Sequence, residues 1–430
     1  MSSFREVFIN YGLWKYYETP ITLSSGQSSH YYLNLKNLVT HPSLHNQIAK
    51  LLSKIITEWV RDNSSNSDNS TLFLVGAPYG AIPVTSLVSV LTDIPMLLVR
   101  KQAKSHGLGK QIEGDFSVGD RVILLEDVVT TGGSVRDMVS ILQESGLRVE
   151  HVFSISNRSP KPLTWDSDNS RMIDSLLYLD RKTPTLREHI KLKSKSKSKS
   201  KSKSNTGVGG GSICLAADVD NLDALFQIID DFGDTVSVIK IHSDLIPGFY
   251  RDYNYTIYKL QHLKWKHNVL LWEDRKCADI GHIMARQIQN GIKDWADLVS
   301  VHGLPGKESI TQILKTGIDA ILIADMSSQG HLFTPSLILE NVRLAESLAD
   351  DENTQWGRMV GIVTQQNIET SLLKIVPGIQ LDKESTTDSQ GQSYRTMKEA
   401  SFADMFVLGR SLTTGDIQEN KKRLLIKTNQ

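Results

Sequence analysis

A run of alternating lysine and serine, from Lys191 to Ser204, divides this chain of 430 residues. Repeated positive charge without apolar side chains cannot build a core, and the glycine-rich stretch that follows adds flexibility. A basic run can also bind nucleic acid, but the alternation with serine favours a tether. A chain of this length normally contains two domains. The sequence therefore predicts a first domain over residues 1–190, a linker over 191–212 and a second domain over 213–430.

The composition argues against several classes of partner and compartment. The formal net charge is zero, so no general electrostatic attraction to nucleic acid or to an anionic membrane is expected. The two cysteines, Cys214 and Cys277, are too few for a disulfide framework and favour a reducing compartment. No stretch approaches the roughly 18 apolar residues of a membrane span, and the amino terminus lacks a secretion signal. We therefore expect a cytoplasmic protein with no nucleic-acid or membrane partner.

Short apolar runs alternate with helical segments in the first half. The runs lie at Leu72–Val75, Met96–Val99, Val122–Leu125 and Val152–Ile155. A helix is predicted over Ser134–Ser145, with Gly146 at its end. Strands that alternate with helices favour a parallel α/β sheet.

The second half, of about 218 residues, contains eight strand-like runs, which is the number and size expected of a (β/α)8 TIM barrel. The interval from Asp382 to Ala403 predicts a long loop followed by a short helix. The eight runs are Ile213–Asp218, Val236–His242, Val269–Asp274, Leu298–His302, Ala320–Asp325, Met359–Thr364, Ile375–Leu381 and Met405–Gly409.

Polar residues follow nearly every predicted barrel strand, and the carboxyl ends of barrel strands converge on one mouth. Pro377-Gly378 and Gly409-Arg410 follow strands seven and eight, where barrels often bind phosphate. After strand three comes an acid-base-acid series, Asp274-x-Lys276-x-x-Asp279, which by itself is also compatible with a solvated loop. The remaining polar strand ends are Asp218, Lys240, His242, His302 and Asp325.

One motif of the first half, Val122 to Ser134, combines an apolar strand, two acids and a small-residue loop that opens a helix. Such a loop binds phosphate through backbone N–H groups, and the acids bind sugar hydroxyls or a magnesium-bound sugar. The motif resembles the phosphoribosyl pyrophosphate loop of type I phosphoribosyltransferases, which implies Mg²⁺ as a cofactor that accompanies this substrate. The substrate-binding residues in it are Glu126, Asp127, Thr130, Thr131, Gly132, Gly133 and Ser134.

A second loop, Arg100 to Gly114, carries several cations and a histidine among glycines, a pattern suited to covering a pyrophosphate. It resembles the catalytic lid of orotate phosphoribosyltransferases, although a solvated loop is the alternative. The resemblance implies that Lys101, Lys104 and His106 contact pyrophosphate from the neighbouring subunit. It further implies substrate contacts by Arg100 and by Arg158, the latter with the orotate carboxylate.

Three positions depart from the orotate phosphoribosyltransferase pattern. Ser24 replaces the lysine before a Ser-Gly turn, Gly80 replaces a lysine found in many bacterial members, and Asn157 replaces the usual aspartate before Arg158. We expect these changes to affect rate and orotate affinity rather than the class of reaction.

The second half resembles orotidine 5'-monophosphate (OMP) decarboxylases along nearly its whole length. Lys240 with Asp274-x-Lys276-x-x-Asp279 matches the family's Lys/Asp tetrad. Decarboxylation without a cofactor leaves negative charge on C6 of the pyrimidine, so a fixed cation is required there. The resemblance assigns Lys276 as that cation and as the proton donor, with Asp279 completing the site of a partner subunit.

The same resemblance implies the binding residues. Asp218 and His242 approach the ribose and Ser327 the pyrimidine, whereas Ile283 replaces a ribose-contacting threonine and is expected to weaken nucleotide binding. His242 and His302 also fit as core histidines, the latter preferentially. On the phosphate side the resemblance places Pro377, Gly378, Gln392, Tyr394, Gly409 and Arg410.

The two halves in this order resemble the bifunctional uridine 5'-monophosphate synthases. This implies a homodimer acting on orotate, phosphoribosyl pyrophosphate and OMP, with no cofactor for the decarboxylase step. The sequence is also compatible with three alternatives: a chain with one active domain, a non-catalytic phosphoribosyl pyrophosphate sensor, and a barrel acting on sugar phosphates. The sensor is disfavoured by the lysines of both halves, and the other barrel by Gln392, Tyr394 and the fused first domain.

Overall fold

A computed structural model of the chain separates it into two compact units, Ser2–Lys182 and Thr183–Gln430. Among the residues it describes, no helix is both long enough and apolar enough to cross a membrane. The described residues are 4–23, 26, 28–63, 70–100, 111–160, 163–166, 168, 170–179, 185–198, 211–349, 356–381, 386–387, 391 and 393–427.

The first unit begins with helix α1 and an antiparallel hairpin of β1 and β2, at Phe4–Asn10, Trp14–Thr22 and Ser28–Leu33. Its main sheet contains β3 (Leu72–Gly76), β4 (Met96–Val99), β5 (Ile112–Glu113), β6 (Arg121–Val129), β7 (Arg148–Asn157) and β8 (Asp174–Tyr178). The order is β5-β4-β3-β6-β7-β8, parallel except for β5. Its longer helices are α2 (Pro42–Asn63), α3 (Ile82–Thr92) and α4 (Gly133–Glu144).

This sheet confirms the parallel α/β prediction, and α4 confirms the predicted helix to within one residue at each end. The central strand β6 is buried from Val122 to Glu126, which explains its continuous apolar run. Helix α4 buries Val135 and Leu142 on the face that packs with the sheet. Because β6 and β7 are parallel neighbours, their carboxyl ends bring the acids of β6 to the same edge as Arg158.

The second unit begins with α5 (Leu186–Ser198) and continues as a closed barrel. Its parallel strands are β9 (Ser212–Ala216), β10 (Val238–Ile241), β11 (Leu270–Cys277), β12 (Leu298–His302), β13 (Asp319–Ile323), β14 (Met359–Val363), β15 (Leu373–Gln380) and β18 (Met405–Leu408). Pairing of β14 with β15 and of β18 with both β15 and β9 closes the ring. The eight predicted strands and the TIM barrel are therefore confirmed.

Helices surround the barrel and cover its outer apolar faces. They are α6 (Leu222–Phe232), α7 (Tyr253–His267), α8 (Gly281–Gln289), α9 (Gly306–Leu314), α10 (Pro335–Ala349), α11 (Arg410–Thr413) and α12 (Ile417–Lys427). Between β15 and β18 the described residues form strands β16 (Thr386–Thr387) and β17 (Ser393–Thr396) followed by a turn. The short helix predicted before Ala403 is not found among the described residues, because residues 397–402 form turns, with the N–H of Ala400 bonded to the carbonyl oxygen of Thr396.

The boundary between the units differs from the predicted one. Helix α5 starts before residue 190 and continues to Ser198, inside the predicted linker. Its Leu186 is fully buried among side chains of the barrel interior. The Lys193 amine donates to the carbonyl oxygens of Gly233 and His267 at 2.9 and 2.7 Å. The alternation concealed this helix because a lysine can bury its aliphatic stem when its amine finds acceptors. Residues 199–210 lie outside the described part.

Candidate functional site

Three side chains of the predicted tetrad meet at the carboxyl ends of β10 and β11. The Nζ of Lys276 donates to Oδ2 of Asp274 at 2.8 Å, and the Nζ of Lys240 lies 3.1 Å from the same oxygen. The Lys240 amine also donates to Oδ1 of Asp218 at 3.4 Å and lies 3.0 Å from Nε2 of His242. The result is an array of alternating charges at the barrel mouth.

The charges of this array stabilise one another. Burial alone raises the pKa of Asp274, but Lys240, a hydrogen bond with His242 and Lys276 together hold it well below its usual value. Burial lowers the pKa of Lys240, but Asp274 and Asp218 outweigh this and raise it. At neutral pH Asp274 is therefore an anion and Lys240 a cation, as buried charges require partners of opposite sign.

A β-bulge at the end of β11 directs Asp274 and Lys276 into the mouth. Residues 274–276 lie between two register pairs where β12 has a single residue, Ser300. Bulges re-aim side chains in this way, often beside active sites. Lys276 has a φ of 51°, in the left-handed region that is costly for a non-glycine residue. The sequence patterns did not identify the bulge or Ser300.

Asp279 does not join the array of its own chain. Its side chain is exposed and accepts a hydrogen bond from the backbone N–H of Ile280 at 2.7 Å, at the start of α8. It is not among the described residues that line the barrel cavity. Its predicted role in the site of a partner subunit stays a prediction.

The array lies in a cavity of about 890 Å³ at the barrel mouth. This volume lies within the range of small-molecule sites. The lining includes all but one of the predicted nucleotide-binding residues of the barrel, and the exception, Gln392, falls outside the described residues. These lining residues are Asp218, His242, Ser327, Pro377, Gly378, Tyr394, Gly409 and Arg410.

The part of the cavity lining that comes from β15, β17 and α11 carries a guanidinium and closely packed backbone. Arg410 donates a hydrogen bond to the hydroxyl of Tyr394, and its guanidinium carbon lies 5.5 Å from the centre of that ring. Gly378 has a φ of 76°, and a Cβ there would lie 2.5 Å from the carbonyl oxygen of Ser393. Only glycine fits this close approach. A positioned arginine is suited to a phosphate.

Two further polar strand ends, His302 and Asp325, are held by neighbouring residues of the barrel. The His302 ring lies 6.1 Å from the Phe333 ring, and its Nδ1 is buried with no hydrogen-bond partner among the described residues. Burial and Lys276 lower its pKa, which agrees with the core-histidine interpretation. Asp325 is 2% exposed, lines the cavity and accepts a hydrogen bond from the N–H of Met326 at 2.8 Å. The sequence identified it only as a strand end.

Glu273, next to Asp274 on β11, faces the opposite side of the strand and is fully buried. Burial raises its pKa to about 7, although the N–H of Ser243 donates to its carboxylate at 3.1 Å. Because the pKa is raised above the usual 4.5, the stability contributed by this group is complete below that pH and is lost as pH rises through about 7.

We therefore expect the Glu273→Gln variant to become more stable relative to the wild type as pH rises from 5 to 8. The relative gain is about 3 kcal/mol, since each unit of pKa shift corresponds to about 1.4 kcal/mol. Denaturant unfolding of the barrel at the two pH values measures it. The exposed Glu308→Gln substitution on α9 is the matched control. An equal pH dependence in wild type and Glu273→Gln contradicts the assignment.

The first unit brings its predicted acids and phosphate loop together. The hydroxyl of Ser134 donates to Oε2 of Glu126 at 3.0 Å, and the N–H of Asp127 donates to the other Glu126 oxygen at 3.0 Å. Burial, then the neighbouring Asp127, raises the pKa of Glu126 to about 8. This shift favours the protonated form of Glu126, whose carboxyl O–H is a hydrogen-bond donor. Gly132, with a φ of 76°, turns the loop into α4.

Gly80, one of the departures from the family pattern, lies against the second acid. A Cβ at this position would lie 1.8 Å from Oδ2 of Asp127. No larger residue fits unless Asp127 moves, so the missing lysine is linked to the observed direction of this carboxylate. Arg136, which the sequence analysis did not single out, donates to the carbonyl oxygen of Thr131 at 2.8 Å and covers the loop.

Arg158, the predicted contact of the orotate carboxylate, is buried and directly follows β7. It donates to the hydroxyl of Ser29 at 2.8 Å and lies 4.3 Å from the centre of the Tyr31 ring. Burial lowers its pKa. Arg100 donates to Glu113 at 2.8 Å, which joins the two ends of the predicted lid. The lid residues Lys101, Lys104 and His106, and Ser24 of the hairpin, lie outside the described residues.

Two family models match the chain. The model of the orotidine 5'-phosphate decarboxylase / HUMPS family matches residues 211–422, and the phosphoribosyl transferase domain model matches residues 34–174. These matches fall on the barrel and on the sheet unit, respectively.

The chain is also similar to several curated proteins. The uridine 5'-monophosphate synthase of Bos taurus is 27% identical over 91% of this chain and 89% of its own length. The synthase of Caenorhabditis elegans is 28% identical, with 93% and 90% covered. The orotate phosphoribosyltransferase of Pyrococcus abyssi is 43% identical over 32% of this chain and 70% of its own length. Similarity to the synthases therefore spans both units.

Proposed function

Because the chain belongs to the family of uridine 5'-monophosphate (UMP) synthases, we propose that its two units catalyse consecutive steps of pyrimidine biosynthesis. The first unit forms OMP and pyrophosphate from orotate and phosphoribosyl pyrophosphate, and the barrel decarboxylates OMP to UMP and CO₂. The observation that carries the proposal is the Lys240–Asp274–Lys276 array inside the cavity that also holds Arg410.

In the barrel, OMP binds with its phosphate at Arg410 and its pyrimidine over the charged array. When the C6–carboxylate bond breaks, CO₂ leaves and the electron pair remains on C6. The Lys276 ammonium stabilises this charge and then donates a proton to it. Asp274 keeps Lys276 in place through the 2.8 Å hydrogen bond, and Lys240 keeps Asp274 ionised. These residue roles are proposals supported by the contacts.

In the first unit, Glu126 and Asp127 bind the ribose hydroxyls of phosphoribosyl pyrophosphate, and the loop from Thr130 to Ser134 binds its 5'-phosphate. Orotate, held by Arg158, takes the place of pyrophosphate at the anomeric carbon. Bound together with the substrate, Mg²⁺ would supply positive charge that offsets the charge of the pyrophosphate. The oxygen-rich side chains of the loop and acids fit such a hard cation.

We further propose a cytoplasmic homodimer. Asp279 is exposed and is not among the described residues that line the cavity of its own chain, which supports a role at a shared interface. Ile280, next to it in the chain, and Leu304, in the loop that follows the adjacent strand β12, are 57% and 76% exposed, as expected of a surface that a second copy covers. Both cysteines are buried free thiols, which agrees with a reducing compartment.

The function is tested by supplying orotate, phosphoribosyl pyrophosphate and Mg²⁺ and following orotate, OMP and UMP by chromatography. The expected result is transient OMP followed by UMP. Accumulation of OMP without UMP contradicts the decarboxylase assignment. Unchanged orotate, together with UMP formation from added OMP, contradicts the transferase assignment.

A further inference from the structure

We propose that Ser300, on β12, is a positioning residue of the decarboxylation site, whose hydroxyl holds Asp274 and Lys276 in their working orientation across the bulge of β11. This inference rests on the proposed decarboxylase function of the barrel and adds a residue that does not itself touch the substrate. Ser300 is not among the described residues that line the cavity.

The contacts of Ser300 join two members of the array. Its side chain is 0% exposed. The hydroxyl donates to Oδ1 of Asp274 at 2.6 Å and accepts from the backbone N–H of Lys276 at 2.9 Å. Oδ1 of Asp274 is thus engaged by Ser300, and Oδ2 receives the amines of Lys240 and Lys276. With different partners on its two oxygens, the carboxylate is prevented from rotating.

The bulge explains why this position needs a hydroxyl. Residues 274–276 face Ser300 alone, so the ladder between β11 and β12 is interrupted there. The N–H of Lys276 would lack a partner in the ladder, and its φ of 51° is unfavourable for lysine. The Ser300 hydroxyl supplies the acceptor while its own proton goes to Asp274. An alanine supplies neither group.

The alternative is that Ser300 is an ordinary buried serine that contributes only to stability. The two interpretations differ in kinetics. A positioning residue behind the array changes the chemical step and leaves substrate binding at Arg410 nearly unchanged, so kcat falls while KM stays almost constant. A purely structural serine changes melting temperature and leaves the kcat of the folded enzyme unaltered.

The test compares Ser300→Ala, Ser300→Thr and Ser300→Cys in the full chain, with OMP as substrate. Threonine keeps the hydroxyl, and cysteine keeps the size but replaces it with a weak donor. Loss of a hydrogen bond to a charged group predicts a fall in kcat of about 10- to 100-fold for alanine, a similar loss for cysteine and substantial recovery with threonine. KM should change by less than about threefold.

The matched control is Ser237→Ala, which removes another buried serine hydroxyl, bonded to Ser212 at 2.6 Å just before β10. It should leave kcat unchanged. If the alanine variant does not fold, the threonine and cysteine variants give the same comparison with the site filled. A kcat for the cysteine variant equal to that of threonine overturns the inference. If the wild-type enzyme forms no UMP from OMP, both the proposed function and this inference are wrong. This outcome differs from failure of the inference alone, in which the wild type remains active.

Discussion

The Lys276→Ala variant is expected to form OMP from orotate at the wild-type rate and to decarboxylate OMP at least about 10⁴-fold more slowly. The substitution removes both the cation beside the developing carbanion and the proton that ends the reaction. Lys240 cannot replace it, because its amine is already engaged by Asp274 and Asp218. The first unit contains no part of this array, so its reaction continues.

The measurement is chromatographic separation of orotate, OMP and UMP in one reaction mixture. Lys266→Ala is the control. Lys266 is a half-exposed lysine on α7, in the outer layer of the same barrel, and its amine pairs with Asp230 at 2.6 Å. It should form UMP like the wild type. Undiminished UMP formation by Lys276→Ala would assign the proton donor to another group. Loss of OMP formation would mean that the substitution disturbs more than the barrel site.

Much of the barrel site could be predicted because its residues lie at regular positions at the ends of the strands. Asp274 and Lys276 follow a buried run, and the barrel rule places all strand ends at one mouth. The structure accordingly brings Asp218, Lys240 and Arg410 to the same cavity. The phosphate loop was recognisable for a similar reason, since its acids, hydroxyls and glycines are contiguous in sequence.

The residues that the sequence did not identify make their contacts with residues that are distant in the sequence and close only in the folded chain. Ser300 matters because a bulge leaves it opposite residues 274–276, and a bulge has no signature in an apolar run. The link between Gly80 and Asp127 joins a turn after β3 to strand β6, which are far apart in sequence. The Lys-Ser alternation predicts a tether where the second part of helix α5 lies, because composition does not show that Lys193 finds two carbonyl acceptors on the barrel.

The two sites share one physical feature, which is that neighbouring groups set the charge of the acids. In the barrel, cations hold the pKa of Asp274 well below its usual value. In the first unit, burial and a second acid raise the pKa of Glu126 to about 8. The Asp274 carboxyl is thus held as an anion that contacts two lysines, whereas the pKa shift of the Glu126 carboxyl favours its protonated form. Sequence alone presents both simply as acids after a strand.

The double variant Glu126→Gln/Asp127→Asn is expected to form OMP at least about 100-fold more slowly than the wild type while converting added OMP to UMP at the wild-type rate. The substitutions keep the volumes of both side chains. They remove the negative charge of Asp127, which favours the cationic transition state at the anomeric carbon, and they replace one oxygen of each carboxyl group with an amide nitrogen. The bond from Ser134 to Glu126 is also changed, so the loop loses part of its anchoring.

Two assays separate this effect from general damage to the protein. Orotate consumption with phosphoribosyl pyrophosphate and Mg²⁺ reports the first unit, and UMP formation from OMP reports the barrel. The matched control is Asp137→Asn/Glu144→Gln, which neutralises two exposed acids of α4, the helix that follows the loop. The control should retain both activities because its changes lie away from the loop. Equal orotate consumption by the two double variants would show that the acids near the end of β6 do not bind the ribose, and the phosphate loop would then have to position the substrate without them.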